Sequence, residues 1–437
     1  KESQALDFDD LLTKTVQLFS TSVEILEKWQ ERLTHILVDE WQDTNKIQYR
    51  LTRLLADKYE NLTAVGDAAQ SIYSWRGADF RNITNLMKDY PHIKVINLEQ
   101  NYRSTQNILS AANAIIARNT SHPVLALWTE NSKGERIKLF SARNGLLEAS
   151  FVVNEISSLK TQGYDYKDFA ILYRTNAQSR VIEEALLHRG IPYILVGGVK
   201  FYDRKEIKDV LAYLRLLTNP KDSVSATRAE KIGKRKYDKF KEFANEVLLP
   251  IKQSTLDLMD NVIAATEYLG LFAKDTEENL ERLENLKELR SVAQEFPILN
   301  EFLENVALVG AEQDHHGTLI IDHRSLASSV TLMTIHAAKG LEFPVIFMIG
   351  MEEGIFPHSR ALVDTTQLEE ERRLAYVGTT RAKELLYLTY AIQRLFFGQR
   401  VSNPPSRFII EIPEHLLDAS ANTLSRQKSW DFENDNY

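Results

Sequence analysis

The sequence predicts an α/β protein in which helices cover parallel sheets and one inserted segment is entirely helical. Short runs of β-branched and aromatic residues recur along the 437-residue chain, separated by stretches whose apolar residues follow the helical period. Parallel strands need helical crossovers, so this alternation is typical of parallel α/β layers. Between about residues 203 and 310 the strand pattern stops, and apolar residues recur at helical spacing beside Glu- and Lys-rich faces. We interpret this region as a helical insertion.

Composition limits the class of protein. With 43 % hydrophobic residues the chain can bury sizeable cores, and two to four domains are expected. It has no cysteine, and it shows neither an apolar run approaching the roughly 20 residues of a membrane span nor a basic and apolar leader. We therefore expect a soluble, cytoplasmic protein without membrane partners. The net charge of −8 means that any nucleic-acid binding must come from local basic and aromatic patches.

Strands are expected where short apolar runs are bounded by polar or turn residues. The runs are rich in Val, Ile, Leu, Phe and Tyr, which fit a pleated and buried surface. The expected strands are residues 36–38, a run that begins at Thr63, and residues 95–98, 137–140, 169–173, 345–349 and 385–388.

Two adjacent acids end the first expected strand. In the string HILVDEWQDTN (35–45), Asp39 and Glu40 directly follow the apolar run. Ligands of an open parallel sheet bind outside the carboxyl ends of its strands, so both carboxylates would reach such a crevice. There Asp39 could hold Mg²⁺, and Glu40 could orient and deprotonate a water that attacks a γ-phosphate. From this string alone it is equally plausible that the pair only caps the next helix, with help from Asp43 and Thr44.

Polar and aromatic residues follow the second expected strand, in TAVGDAAQSIYSWRGAD (63–79). Gln70 is close enough to the strand to reach the same crevice and sense a γ-phosphate. Tyr73 and Trp75, beside Arg76, could face outward and stack on unpaired bases. A tryptophan taken alone is more often a core residue, but the interleaved polar residues argue against a core strand here.

Five strings carry a family resemblance: VDEWQDTN (38–45), VGDAAQSIYSWRGAD (65–79), LEQNYRST (98–105), VTLMTIHAAKGLEFPVIFMIGMEEGIFPH (330–358) and EEERRLAYVGTTRAKELLYLTYA (369–391). In this order they resemble the motifs of superfamily 1 DNA helicases of the UvrD/Rep/PcrA type, and the similarity extends over nearly the whole chain. The string at 191–222 looks most like the PcrA branch. The resemblance implies two RecA-like parallel-sheet lobes of the P-loop NTPase type, with a helical subdomain inserted into the second.

The resemblance implies nucleotide-binding roles for four residues. Tyr102 would stack on the adenine, and Glu342 would bind the ribose. Arg103 and Arg381 would contact the γ-phosphate, where a guanidinium offers planar, paired donors that match the oxygens of a phosphoryl group in transfer. Taken singly, either arginine would more often be a surface salt-bridge partner.

The resemblance also implies DNA-backbone contacts by Thr334 and His336, although a lone histidine in such a place is more often a buried structural residue. Lys339 could either bind a DNA phosphate or couple the two lobes. Arg372 and Arg373 follow acids by three or four residues on a helix, and we expect them to be internal salt-bridge partners.

The family pattern predicts how the chain is divided. The expected units are the carboxy-terminal part of a first lobe (1–96), a second lobe (97–202 and 329–420), an apparently shortened helical subdomain (203–328) and a tail (421–437).

One motif of the family does not occur in this sequence. Its phosphate-binding loop, G-x-x-x-x-G-K-[ST], holds the β- and γ-phosphates with backbone N–H groups and a lysine. The chain's Gly-Lys pair, Gly233-Lys234, is followed by Arg235 and lies in the expected helical subdomain. In the family the loop precedes a segment similar to LDFDDLL (6–12). We therefore expect a fragment whose partner is the missing amino-terminal segment.

The function implied by the resemblance is that of an ATP-dependent 3′–5′ DNA helicase and translocase in repair and replication. It would use ATP and Mg²⁺, act on single-stranded DNA and single-strand/double-strand junctions, and meet repair or replication proteins. One alternative is a DNA-binding or regulatory fragment that does not hydrolyse ATP. The other is a helicase–nuclease subunit, which would need a nuclease domain after residue 391.

Overall fold

The computed structural model describes residues 6–247, 253–317, 328–396 and 398–420. The expected tail, residues 421–437, lies outside the described residues. In the described part, helices alternate with parallel strands, which confirms the α/β class.

The amino-terminal part contains a short parallel sheet. Strand β1 (Ile36–Val38) pairs with β2 (Leu62–Ala64), and Val38 lies opposite Ala64. Because the two strands end at the same edge, the residues that follow them are brought together. The helices of this part are α1 (Phe8–Thr21), α2 (Val23–Arg32), α3 (Lys46–Ala56) and α4 (Asn82–Asp89).

A larger parallel sheet follows, with α5 (Gln106–Ile116), α6 (Gly145–Thr161) and α7 (Ser179–His188) between its first strands. Its strands are β3 (Ile137–Ala142), β4 (Phe169–Tyr173), β5 (Tyr193–Leu195), β6 (Val330–Thr334), β7 (Phe343–Met348) and β8 (Ala382–Ala391). After a separate antiparallel pair, β9 (Arg394–Phe396) and β10 (Gln399–Val401), strand β11 (Leu417–Asp418) completes the sheet. The order within the described residues is β11-β3-β8-β7-β4-β6-β5.

A helical segment separates β5 from β6 in the chain. It has its own hydrophobic core, in which Tyr213, Met259 and Phe302 are fully buried. No described helix has the length and apolar content needed to cross a membrane. The segment contains α8 (Lys205–Thr218), α9 (Ser223–Ile232), α10 (Lys234–Glu246), α11 (Thr255–Ala265), α12 (Glu277–Glu295) and α13 (Leu299–Gly317).

The central strands of the larger sheet are buried on both faces. Leu172 and Met348 pack in one core with α5, α14 (Thr365–Thr379) and α15 (Arg407–Ile410). Their neighbours Ile171 and Phe347 pack on the opposite face with α6 and α7. This explains why the runs are apolar without alternation, as in other sheets covered on both sides.

One expected strand is wrong. Residues 95–98 form no strand in the structure, and Val95, Ile96 and Leu98 are 62 %, 67 % and 74 % exposed. Their apolar pattern fits a strand, but a strand needs a hydrogen-bonded neighbour, and no described segment pairs with these residues.

Candidate functional site

The two acids after β1 are open to a ligand. Asp39 and Glu40 are both exposed, and Glu40 has a left-handed backbone with φ of 51°. The Asp39 Oδ1 atom accepts the Glu40 N–H at 2.8 Å, whereas the following helix α3 is capped by the side chain of Asn45. The pair therefore does not cap α3, and its ligand role stays a prediction. Two exposed carboxylates supply the hard oxygen donors that Mg²⁺ prefers.

The end of β2 is joined to the end of β1 by Gln42. Its side chain donates to Glu40 Oε2 and accepts the Asp67 N–H at 2.9 Å. A Cβ atom on Gly66 would lie 2.7 Å from Gln42 Oε1, so a larger residue there would displace the Gln42 amide from its present position. The side chain of Asp67 in turn accepts from Gln70 Nε2 at 2.9 Å. Neither Gln42 nor Asp67 was among the expected site residues, although both lie in the quoted strings.

The expected nucleotide residues of the second lobe form one cluster. Arg103 Nε donates to Glu342 Oε2 at 2.5 Å, and Lys383 Nζ lies 2.7 Å from Glu342 Oε1. Lys383 and Arg103 together lower the pKa of the Glu342 carboxyl to about 2, so it is ionised. Tyr102 is 76 % exposed and presents a free aromatic face.

Arg381 lies behind this cluster and is almost fully buried. Its guanidinium donates to the carbonyl oxygens of Val377 and Leu341 at 3.0 and 3.3 Å. Burial and the neighbouring Arg103 lower the pKa of Arg381 to about 10, so it stays protonated at neutral pH. The negative charge of Glu40, from the other lobe, raises the pKa of Arg381 and so opposes this effect. The Glu40 carboxylate and the Arg381 guanidinium are therefore near enough for their charges to interact.

Two aromatic residues follow β2, and they differ in exposure. Trp75 is 47 % exposed, and the Arg76 guanidinium lies 4.4 Å from the centre of a Trp75 ring. Tyr73 is half-buried, and its hydroxyl donates to the His336 carbonyl oxygen at 3.1 Å. The Trp75 ring is therefore partly open to solvent, whereas the Tyr73 side chain is hydrogen-bonded to the second lobe.

Thr334 and His336 lie at and just after the end of β6. The Thr334 hydroxyl accepts the Ala337 N–H at 3.2 Å and shapes this turn. Burial, with Arg174 and Arg76 nearby, lowers the pKa of His336 to about 3. His336 is therefore neutral at pH 7 and can offer a hydrogen bond but no positive charge.

The second lobe holds the polypeptide between Gln70 and Trp75. The Arg373 Nε donates to the Ser71 carbonyl at 2.6 Å, and the Ser74 N–H donates to Glu370 Oε1 at 3.1 Å. The expectation for Arg373 was therefore wrong, because it binds a carbonyl of the other lobe rather than an acid on its own helix. Sequence spacing cannot reveal so distant a partner.

For Arg372 the expectation of an internal salt bridge is confirmed. Its Nε lies 3.2 Å from Glu369 Oε2, three residues earlier, and it also pairs with Glu411. Among the described residues, no group of three or more Asp, Glu, His or Cys side chains is arranged to hold a metal ion by itself.

Comparisons with known proteins give family matches over most of the chain. Residues 1–91 match the family model for the UvrD/REP helicase N-terminal domain, and residues 96–270 and 259–393 match that for the UvrD-like helicase C-terminal domain. A solved C-terminal domain of a possible DNA helicase from Lactobacillus plantarum WCFS1 is 13 % identical, with a TM-score of 0.32. The match covers 73 % of this chain and 98 % of that domain. So low a similarity does not define the fold.

Among characterised relatives, the chain is similar to proteins described as ATP-dependent DNA helicase PcrA. It is 44 % identical to that of Bacillus subtilis over 95 % of its length, 43 % identical to that of Leuconostoc citreum over 98 %, and 45 % identical to that of Staphylococcus epidermidis over 95 %. The chain spans 63 to 64 % of the length of these relatives.

Proposed function

Because this chain belongs to the family of UvrD-like helicases, we propose that the protein containing it is an ATP-dependent DNA helicase and translocase. The observation that carries the proposal is that site residues predicted in separate parts of the chain lie near one another. Glu40 of the first lobe is near enough to Arg381 of the second for their charges to interact, and Arg103, which is paired with Glu342, acts on the same arginine.

On the nucleotide side we assign roles to single residues. Asp39 would hold Mg²⁺, which neutralises phosphate charge when bound, and Glu40 would accept the proton of the attacking water. Gln70 would sense the γ-phosphate, and Arg103 and Arg381 would stabilise its developing charge from the second lobe. This division favours a closed cleft with ATP bound and an open one after hydrolysis.

Two further residues would bind the nucleoside. The exposed ring of Tyr102 would stack on the adenine, and the ionised Glu342 would accept from the ribose hydroxyls. Glu342 is paired with Arg103 in the structure, so nucleotide binding would exchange this ion pair for contacts to ribose and phosphate.

On the DNA side, Trp75 and Tyr73 would stack on unpaired bases, with Arg76 supplying positive charge. Thr334 and neutral His336 would donate hydrogen bonds to the backbone. The substrate class we propose is single-stranded DNA and its junctions with duplex. Movement in the 3′–5′ direction, a cytoplasmic location and roles in repair and replication, with partners from those processes, follow from family resemblance.

We also propose the domain division implied by that resemblance. Residues 1–96 would form the end of the first lobe, residues 97–202 and 329–420 the second lobe, and residues 203–328 the inserted subdomain. The separate sheets and the separate core of α8–α13 support this division.

ATP hydrolysis by the full-length protein, with and without single-stranded DNA, tests the proposal. We expect DNA to stimulate hydrolysis, and Glu40→Gln to lower the stimulated rate by at least about 100-fold while nucleotide binding persists. If DNA did not change the rate of ATP hydrolysis by the full-length protein, the proposed function would be contradicted.

The alternative of a DNA-binding fragment without hydrolysis is kept for this chain alone, since it spans only part of its relatives. The same assay on the isolated chain, then with the amino-terminal segment added as a separate polypeptide, separates the two. Turnover by the isolated chain would exclude the alternative, and turnover only after addition would indicate a split motor.

A further inference from the structure

Lys339 of the second lobe is hydrogen-bonded to the first lobe. It lies in the turn after β6, and its side chain is only 7 % exposed. Its ammonium donates to Asp43 Oδ2 at 2.5 Å and to the Gln70 carbonyl oxygen at 2.7 Å. Both acceptors follow strands of the small sheet, so a second-lobe lysine is held entirely by first-lobe groups.

The same ammonium is close to one residue of the proposed nucleotide site and to one residue of the proposed DNA face. Glu40 Oε2 lies 3.6 Å away, and the centre of the Tyr73 ring lies 5.2 Å away. The Tyr73 hydroxyl donates to the carbonyl of His336, in the turn that carries Lys339. Lys339 is thus in contact with both the proposed DNA face and the proposed catalytic acid.

Asp43 depends on this lysine. Its Oδ1 atom is buried and has no hydrogen-bond partner among the described residues. Burial raises the pKa of Asp43, while the hydrogen bond and charge of Lys339 oppose that rise. A buried acid whose counter-charge moves away is strongly disfavoured, so the position of the ammonium and the charge of Asp43 are linked.

We propose that Lys339 is a positioning residue that couples occupancy of the Tyr73 and Trp75 face to the arrangement of Glu40 and Gln70. This rests on the proposed function. A base that stacks on this face shifts the Tyr73 ring, and with it the ammonium that lies over the ring. The shift changes the positive charge beside Glu40 and the hydrogen bond that holds the Gln70 backbone.

Because coupling between two binding sites is reciprocal, it can be measured by binding alone. The measurement is the Kd of the full-length protein for a fluorescently labelled oligothymidine, with and without Mg²⁺ and a non-hydrolysable ATP analogue. We expect the analogue to change this Kd by about fivefold or more in the unaltered protein. In Lys339→Met the change caused by the analogue should fall below about twofold, measured against that variant's own Kd without nucleotide.

Two further variants separate coupling from structural support. Lys339→Arg keeps a positive donor and should retain most of the coupling. Lys138→Met, which removes a second-lobe lysine paired with Asp418 at 2.9 Å, should behave as the unaltered protein. If the Met variant does not fold, as judged by circular dichroism, Lys339→Gln takes its place.

The outcomes distinguish this inference from the proposed function. Equal coupling in the unaltered protein and in Lys339→Met would overturn the inference alone. Loss of coupling in both the Met and the Arg variants would overturn a role based on charge. An unaltered protein in which nucleotide leaves DNA affinity unchanged, and DNA leaves hydrolysis unchanged, would overturn the proposed function itself.

Discussion

Arg76 and His336 lie on the same proposed DNA face but differ in charge. Arg76 is exposed and carries a full positive charge over the Trp75 ring. His336 is buried enough that its pKa falls to about 3, partly because of the positive charge of Arg76. The two side chains should therefore contribute to DNA binding in different ways.

The salt dependence of DNA binding checks this difference. A charged contact to phosphate releases a counterion, whereas a neutral hydrogen bond does not. We expect Arg76→Gln to reduce the slope of log Kd against log salt by about 1, and His336→Gln to weaken binding without changing the slope. The measurement is a titration of single-stranded DNA at several salt concentrations. Equal slopes for the two variants would argue against a difference in charge between Arg76 and His336 at the DNA.

His336 should also make stability depend on pH. Its pKa is about 3 in the folded protein against about 6.5 for an unperturbed histidine, so between these values the unfolded chain binds a proton that the folded chain does not. The free energy of unfolding should therefore fall as pH decreases below about 6.5. Between pH 7.5 and 5.5 this group should account for a loss of about 1.4 kcal/mol.

Urea unfolding of the unaltered protein and of His336→Gln at these two pH values isolates this contribution. Other groups titrate in both proteins, so the difference between the two losses is the quantity to compare. A Gln variant that loses as much stability as the unaltered protein would show that His336 is protonated in the fold.

At the scale of elements, α7 and α12 are joined through a buried arginine. Arg180 is only 3 % exposed and lies 2.7 Å from Glu288, 3.0 Å from Glu184 and 3.7 Å from Glu295. Glu288 and Glu295 belong to the helical insertion, whereas Arg180 belongs to the second lobe. The insertion is thereby fixed to the sheet by charge as well as by apolar contacts.

Removal of this arginine should destabilise the protein. Arg180→Met leaves acids buried without their counter-charge, and we expect the free energy of unfolding to fall by about 3 kcal/mol in a denaturant titration. The matched control is Lys160→Met, which removes an exposed pair with Asp165 and should have little effect. Similar losses in both variants would mean that burial of the Arg180 network contributes nothing.

At the scale of the molecule, the two lobes touch through the polypeptide between Gln70 and Trp75. Lys339, Arg373 and Glu370 of the second lobe bind its backbone or side chains. These contacts are hydrogen bonds, which can break and form again. Binding or hydrolysis of the nucleotide can therefore move this segment relative to either lobe. Closure of the cleft should thus be visible as a change in distance between the lobes.

Fluorescence transfer can follow this closure, because these 437 residues contain no cysteine and any cysteine elsewhere in the full-length protein can be replaced before labelling. Suitable exposed positions are Lys28 in α2 and Gln162 just after α6. In the full-length protein labelled after Lys28→Cys and Gln162→Cys, a non-hydrolysable ATP analogue should raise the transfer efficiency. Binding of the analogue to the unlabelled protein is measured as a control for occupancy. An unchanged transfer efficiency at a saturating concentration of the analogue would argue against closure.

The sequence by itself predicted much of this protein. Local patterns were sufficient for the strands at 36–38, 137–140, 169–173 and 385–388 and for the helical segment, because period and apolar content are properties of neighbouring residues. The order of five long strings was sufficient for the family, which the family models confirm. The roles of the site residues, including Glu40, remain predictions.

Only the tertiary structure decided which distant residues meet. It alone showed that residues 95–98 lack a strand partner, that Arg373 binds the Ser71 carbonyl, and that Lys339 reaches Asp43. A strand, a hydrogen bond to a carbonyl and a buried ion pair each depend on a partner supplied by another part of the fold. The spacing of residues along the chain does not identify that partner. These contacts are determined by packing between the lobes.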